Sequence, residues 1–247
     1  MHVSFVDVPG EWFNPENRNE YEEAVKLLNE SNVLIVAVDT PYLMDETIKA
    51  RGVLHVEYNK SQSIINGITN KKDSAKDSAG DISNRLVLFV PIKCEACYNQ
   101  KKMLDVTEMV KEGYDELIDY FKSDNLKNST TVAIMPILSM GGMEFVAFQQ
   151  NPKTGRYMEG FQIMGDFDPQ YCEQPLLASV MLLLQEARGK CKTSLFFKNW
   201  NERRRTKNGE FTKTVVDNMF KVIKPLLQGN DPQRGFEVIQ DPLHIFK

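Results

Sequence analysis

Three short stretches carry residue types that could act on a nucleotide. The first is Val3-Ser-Phe-Val-Asp7-Val-Pro-Gly10-Glu11, an apolar run that ends in Asp-x-x-Gly. A carboxylate at the end of such a strand can hold Mg²⁺ through its water shell, and a glycine three residues on lets a backbone N–H approach a terminal phosphate. Asp-x-x-Gly is also an ordinary strand-to-loop turn, so it gains meaning only from its company. The second stretch is that company. The apolar run Arg85-Leu-Val-Leu-Phe-Val90 leads into Pro91-Ile92-Lys93-Cys94-Glu95, a variant of Asn/Thr-Lys-x-Asp. A carboxylate in the last position can accept the ring N–H and the exocyclic amine of guanine while the lysine stem lies along the base, and adenine lacks that donor pair. Glu95 stands in place of the usual Asp, and Ile92 removes a polar group that would tie the base-binding loops together.

A literal Asn70-Lys-Lys-Asp73 also occurs, inside a polar low-complexity stretch. A specificity loop must be held at the carboxyl end of a buried strand, where ligands bind in open α/β sheets, so Lys93-Cys-Glu95 is the better candidate. The third stretch, Val132-Ala-Ile-Met-Pro-Ile-Leu-Ser139-Met140-Gly141-Gly142, is another strand ending in a small-residue turn. Ser139 and the Met140 N–H could meet the guanine O6. On local sequence the same residues read equally well as a Gly-Gly turn into a strand over Glu144 to Phe148.

These motifs need strands to position them, and the patterning supplies them. Val3-Ser-Phe-Val6, Val33-Leu-Ile-Val-Ala-Val38, Arg85 to Val90 and Thr130-Thr-Val-Ala-Ile-Met135 are β-branched apolar runs. The middle two are almost continuously hydrophobic, as strands buried on both faces are. Helices are expected from an N-cap box at Asn19-Glu-Tyr-Glu22, and from Asp105-Val-Thr-Glu108 into a stripe of Met109, Val110, Tyr114, Leu117, Ile118 and Phe121. A third should follow Pro175 to about Arg188, and a fourth carries Phe211, Val215, Met219, Phe220 and Ile223 before Pro225 and Gly229. The fold class is therefore α/β, a mostly parallel sheet covered by helices on both faces. Residues 66–84 read as a mobile loop, 1–190 as the main domain and 191–247 as a helical extension packed on it.

Composition narrows the partners. With 30 Lys and Arg against 34 Asp and Glu, the chain has a formal charge of −4 and no overall basic field to hold nucleic acid. The longest apolar run, Leu176 to Leu184, is about half of what a membrane span needs, and Asp7 and Glu11 interrupt any N-terminal signal, so the cytoplasm is the expected location. Cys94-Glu-Ala-Cys97 has no second ligand pair at zinc spacing, since Cys172, Cys191 and the three histidines are scattered. Reduced thiols are the expectation.

Taken in order, these stretches, with Ile35-Val-Ala-Val-Asp-Thr-Pro-Tyr-Leu-Met44 and Cys172-Glu-Gln-Pro-Leu176, resemble the P-loop GTPase superfamily. The likeness is greater to the bacterial double-GTPase family of its translation-factor-related class, and it covers about residues 3–188. The resemblance implies a Ras-like core and guanine-nucleotide (GTP/GDP) binding with Mg²⁺, in a bacterial signalling or conflict-system switch. It implies Asp7 as the metal-side residue, Gly10 and Glu11 on the catalytic side, and Lys93, Glu95, Ser139 and Met140 around the base. Glu11 stands where a Gln often orients the attacking water. One departure is large. The sequence nowhere contains Gly-x-x-x-x-Gly-Lys-Ser/Thr, and Asn59-Lys60-Ser61 lacks both glycines. The expectation is a GTPase core without its first strand, phosphate loop and first helix, either a fragment of a longer reading frame or a protein that has lost hydrolysis. It should be inactive as the isolated chain and should show an unpaired sheet edge. The alternative is a non-catalytic GTPase-fold scaffold that binds a protein partner through its C-terminal helix.

Overall fold

A computed structural model describes residues 6–13, 16–44, 53–69, 84–193, 215–227 and 234–246. The strand expected at residues 3–6 falls almost wholly outside them, and Val6 is exposed coil. The order of elements is α1 (Arg18–Glu30), β1 (Val33–Asp39), α2 (Thr40–Leu43), α3 (Val53–Tyr58), α4 (Ser61–Thr69), β2 (Arg85–Ile92), α5 (Glu95–Asn99), α6 (Met103–Gly113), α7 (Asp115–Lys122), β3 (Thr130–Ile134), β4 (Met143–Gln150), β5 (Tyr157–Ile163), α8 (Gln174–Thr193), α9 (215–223) and β6 (Glu237–Gln240).

The sheet is mixed and mostly parallel, in the order β1-β2-β3-β6. β1, β2 and β3 run parallel, and β6 closes the far edge antiparallel to β3. Period-2 alternation divides the strands between two cores. Leu34, Val36, Val38, Val87, Phe89, Val132 and Ile134 face α1, α4, α6 and α7. Leu86, Leu88, Val90, Ala133 and Met135 face α8, α9 and Ile245. β2 is buried on both faces, which is why its sequence is an unbroken apolar run.

Several expected boundaries move. α1 starts at Arg18, with Asn17 at its N-cap and no side-chain cap hydrogen bond, so the box at Asn19 to Glu22 lies inside the helix. Asp105 to Glu108 likewise lies within α6, which begins at Met103. The stripe from Met109 to Phe121 is two helices, because Tyr114 leaves the helical region with φ −129° and ψ 24°. Its ring is fully buried, 4.9 Å from Phe89 and 5.1 Å from His55 between centroids, and this packing fixes the break. Gly113 is required beside it: a Cβ there would fall 2.7 Å from His55 Nε2. Asn66 to Thr69, expected in a loop, complete α4, where Ile65 and Ile68 are buried; residues 70–83 lie outside the described set. Phe211 and Gly229 lie outside it too.

The stretch after residue 190 also does more than add a helix. It returns β6 to the sheet, and the buried Asp241 after β6 accepts from Thr131 Oγ1 (3.0 Å), Ile245 N–H (2.8 Å) and Phe246 N–H (3.0 Å). Among the described residues no helix is long and apolar enough to cross a membrane.

The edge beside β1 behaves differently from the rest. β1 pairs with β2 alone among the described strands, and its burial alternates, with Ile35 46% exposed although its register partner Leu88 is fully buried on the same face. A large-to-small change should therefore be felt at one residue of this pair and not the other. Leu88→Ala is expected to lower unfolding free energy by about 2–5 kcal/mol, and Ile35→Thr by under about 1 kcal/mol, in denaturant titrations. Equal losses would show that the outer face of β1 is covered.

Candidate functional site

The carboxyl ends of β1, β2 and β3 share one edge, and the sequence-selected residues of the second and third stretches meet there. Lys93 follows β2 with φ 59°, a left-handed conformation that is costly for a residue with a Cβ. It is held there because its backbone N–H donates to Ser139 Oγ at 3.0 Å. Glu95 opens α5, and its Oε1 accepts the N–H groups of Met140 at 2.5 Å and Gly141 at 3.0 Å. Lys93, Glu95, Ser139 and Met140 thus form one cluster from two loops.

The Gly-Gly turn is structural as well. Gly141 has φ 61°, and a Cβ on it would fall 2.4 Å from the Asp168 backbone nitrogen, while one on Gly142 would fall 2.2 Å from the Asp166 carbonyl oxygen. The two glycines let the 139–142 turn lie against the chain entering α8, and that close approach aims its N–H groups at Glu95.

The side chain of Lys93 has a second set of partners. Its Nζ lies 2.5 Å from Asp39 Oδ2 and 2.5 Å from Glu159 Oε2, on β1 and β5. Burial alone would lower the ammonium, but the hydrogen bonds and charges of both carboxylates outweigh it and hold Lys93 above its usual range. Two carboxylates now share one cation, so one is left uncompensated. Asp39 takes that role: burial, with Glu159 facing it, pushes its carboxyl up to about 7 against the pull of Lys93. Its Oδ1 and the Oε1 of Glu159 are both buried without a hydrogen-bond partner.

Asp39 is positioned through its backbone. Its N–H donates to Asn59 Oδ1 at 2.7 Å, and its carbonyl accepts from Asn59 Nδ2 at 3.1 Å. The same amide nitrogen lies 3.0 Å from His55 Nδ1, which must then be the accepting nitrogen of the ring. Burial lowers the His55 pKa, in keeping with a neutral ring.

Above this edge lies the β4–β5 hairpin. Between Phe145 and Ala147 the ladder carries a bulge that leaves Val146 without an opposite residue. The extra residue shifts the alternation, so Phe145 and Phe148 point to the same side as Glu159 and Phe161. Phe148 packs on Tyr42 at 5.0 Å, Tyr42 stacks on Tyr58 at 4.3 Å, and the Tyr157 N–H donates to the Tyr58 hydroxyl at 3.0 Å. The Phe161 ring lies 5.7 Å from Lys93 Nζ. Charge and aromatic contacts therefore dock the hairpin on the sheet edge.

Asp7, Gly10 and Glu11 do not join this cluster in any described contact. They lie on an exposed stretch whose next residues, Trp12 and Phe13, anchor it in the core beside α1. Asp7 presents one exposed carboxylate, and among the described residues no group of three or more His, Cys, Asp or Glu gathers as a metal site. A single carboxylate fits Mg²⁺ only where a ligand supplies most of the coordination. The literal Asn70 to Asp73 match lies outside the described residues. The Cys94 thiol is buried against Thr40 Oγ1 at 3.2 Å and shifted strongly upward by that burial, and Cys97 is pushed up to about 11. Both are poor candidates for thiolate chemistry at neutral pH.

Three participants escaped the sequence reading: Asp39, Glu159 and Phe161. Asp39 carried a usable signal, a carboxylate at the end of an apolar strand just before Thr-Pro, of the kind that singled out Asp7. Glu159 and Phe161 carried none, because only the hairpin's return over the sheet brings them to Lys93. No family model, curated protein or solved structure matches the chain.

Two measurements follow from this geometry. The folded-state carboxyl of Asp39 binds its proton more tightly than an unfolded aspartate, so its contribution is fully present below about pH 4 and lost as pH rises through about 7. Asp39→Asn should remove a downward stability slope of up to about 1.4 kcal/mol per pH unit in that window; an unchanged slope in urea titrations would contradict the assignment. Gly141→Ala should destabilise by more than the ~1 kcal/mol of an ordinary loop change, since it adds strain at φ 61° to a backbone clash.

Proposed function

We propose that the edge formed by Lys93, Glu95, Ser139 and Met140 recognises guanine, and that the chain is a guanine-nucleotide-binding protein with a GTPase-like core. The observation that carries this reading is the pairing of the Glu95 carboxylate with the Met140 N–H. A donor and an acceptor are matched to each other there, and guanine can replace both bonds at once. Its O6 would accept the N–H, while its ring N–H and exocyclic amine would donate to the carboxylate. Adenine would set its amine against the N–H and its ring nitrogen against the carboxylate, a mismatch at both points. The parallel order of β1, β2 and β3, with loops of β2 and β3 supplying the contacts, is the arrangement in which such a site is expected.

GTP hydrolysis is a separate matter. The Lys and N–H cradle that stabilises a transferring phosphoryl group is not found in the sequence as Gly-x-x-x-x-Gly-Lys-Ser/Thr. The 247-residue chain is therefore expected to show no turnover above buffer. Turnover abolished by Asp7→Ala would overturn that expectation. A role as a bacterial signalling or conflict-system switch rests on the family resemblance alone.

A second reading, a GTPase-fold scaffold for a protein partner, is favoured by one feature of α9. Val215, Met219 and Val222, with Leu226 just beyond, are 40%, 42%, 66% and 53% exposed at spacings of 4, 3 and 4 residues, while Val216 and Leu227 face the core. Calorimetry separates the readings. GDP should bind at least about tenfold more tightly than ADP, and Glu95→Ala should erase most of the preference, while Asp73→Ala leaves it intact. Equal binding of GDP and ADP, or none of either, would favour the scaffold.

A further inference from the structure

Lys93 is the one side chain that the proposed base site and the hairpin both use. The stem of Lys93 would lie along a bound base, yet β5 already offers it an aromatic ring and an anion. Phe161 and Glu159 are two residues apart on one face of β5, so a single strand presents both. The ring lies 5.7 Å from Nζ and the carboxylate 2.5 Å from it. A nucleotide offers the same pair of features, a π face and a negative charge. Glu95 completes the closed arrangement by occupying the Met140 and Gly141 N–H groups at the same edge.

We propose that the β4–β5 hairpin is an intrasteric strap, in which Phe161 and Glu159 stand in for a ligand on Lys93, so that docked hairpin and bound guanine nucleotide exclude one another. This rests on the guanine reading above and adds its regulation. The strap is built to leave. Its Glu159 is one of two carboxylates on a single ammonium, with one buried oxygen unpartnered, so release returns Glu159 to water and leaves Lys93 paired with Asp39 alone. What also holds it is the aromatic contact of Phe148 with Tyr42, the hydrogen bond from the Tyr157 N–H to Tyr58 and that from Asn99 Nδ2 of α5 to Glu144 Oε1 of β4. Displacement breaks no sheet hydrogen bond among the described strands, where β4 and β5 pair only with each other.

The Tyr157 amide is the reporter, since its proton is held by a residue outside the hairpin. Amide hydrogen exchange at Tyr157 and calorimetric GDP affinity are measured together on the full chain, wild type and Glu159→Ala, with Phe161→Ala as a second variant that leaves the ion pairs in place. In wild type, GDP should speed exchange at Tyr157 several-fold. Both variants should speed it without nucleotide and should tighten GDP about tenfold. If GDP binds wild type with its preference over ADP, while neither variant changes affinity and GDP leaves Tyr157 exchange unchanged, the strap is wrong and the guanine site stands. If the variants speed exchange but no form binds GDP, the guanine reading fails and the competition fails with it.

Discussion

One half-buried ammonium organises the carboxyl edge of this sheet. Lys93 ties the end of β1 to the end of β2 through Asp39, and ties both to the hairpin through Glu159. Its backbone is fixed just as firmly, since the left-handed turn at Lys93 is compensated by the bond to Ser139 on the loop after β3. Three strands and a hairpin thus converge on one residue. The electrostatics do not balance, because two carboxylates face one cation in a poorly solvated place. Such a constellation gives less stability than its short distances suggest, and its value lies in fixing which groups sit together.

That imbalance links stability to the proposed function. An ion-pair network optimised only for the folded state would hold one carboxylate per lysine, or expose the surplus to water. Here both carboxylates are largely shielded from water, and one of them, Glu159, sits on the hairpin. The hairpin has its own ladder and its own aromatic contacts, so it can undock without the sheet losing a strand. The base of the site is rigid by contrast. Asn59 brackets the Asp39 backbone, Cys94 packs under Thr40, and the two glycines lock the 139–142 turn against the segment before α8. A rigid floor beneath a detachable cover is an arrangement suited to admitting a ligand.

The sequence made β2 and β3 legible because both are buried on both faces, so period and composition agree; the equally apolar β1 reads the same way, but it lies at the sheet edge and is exposed at Ile35. The convergence of Glu95 with the 139–142 turn was also readable, since parallel strands place their following loops on one edge. Helix limits were less so: tertiary packing of Tyr114 overrides an unbroken helical stripe, and α4 extends into residues whose polarity suggested a loop. β6 was hidden because Glu237 to Gln240 is short and half-buried, and its pairing partner lies more than a hundred residues away. The pairing of Lys93 with Asp39 and Glu159 was beyond local reading altogether. Long-range ion pairs leave no periodic trace, and the bulge at Val146 that turns both phenylalanines inward is a one-residue irregularity.

In the proposed guanine site, Glu95 and the Met140 N–H exchange their mutual bond for bonds to the base. Backbone amide chemical shifts of Met140 and Gly141 report that exchange directly, because both protons are held by the same carboxylate oxygen. Titration with GDP should move both resonances in a saturable way, and ADP at equal concentration should leave them in place. Unmoved Met140 and Gly141 resonances under saturating GDP, or identical shifts with ADP, would contradict the account.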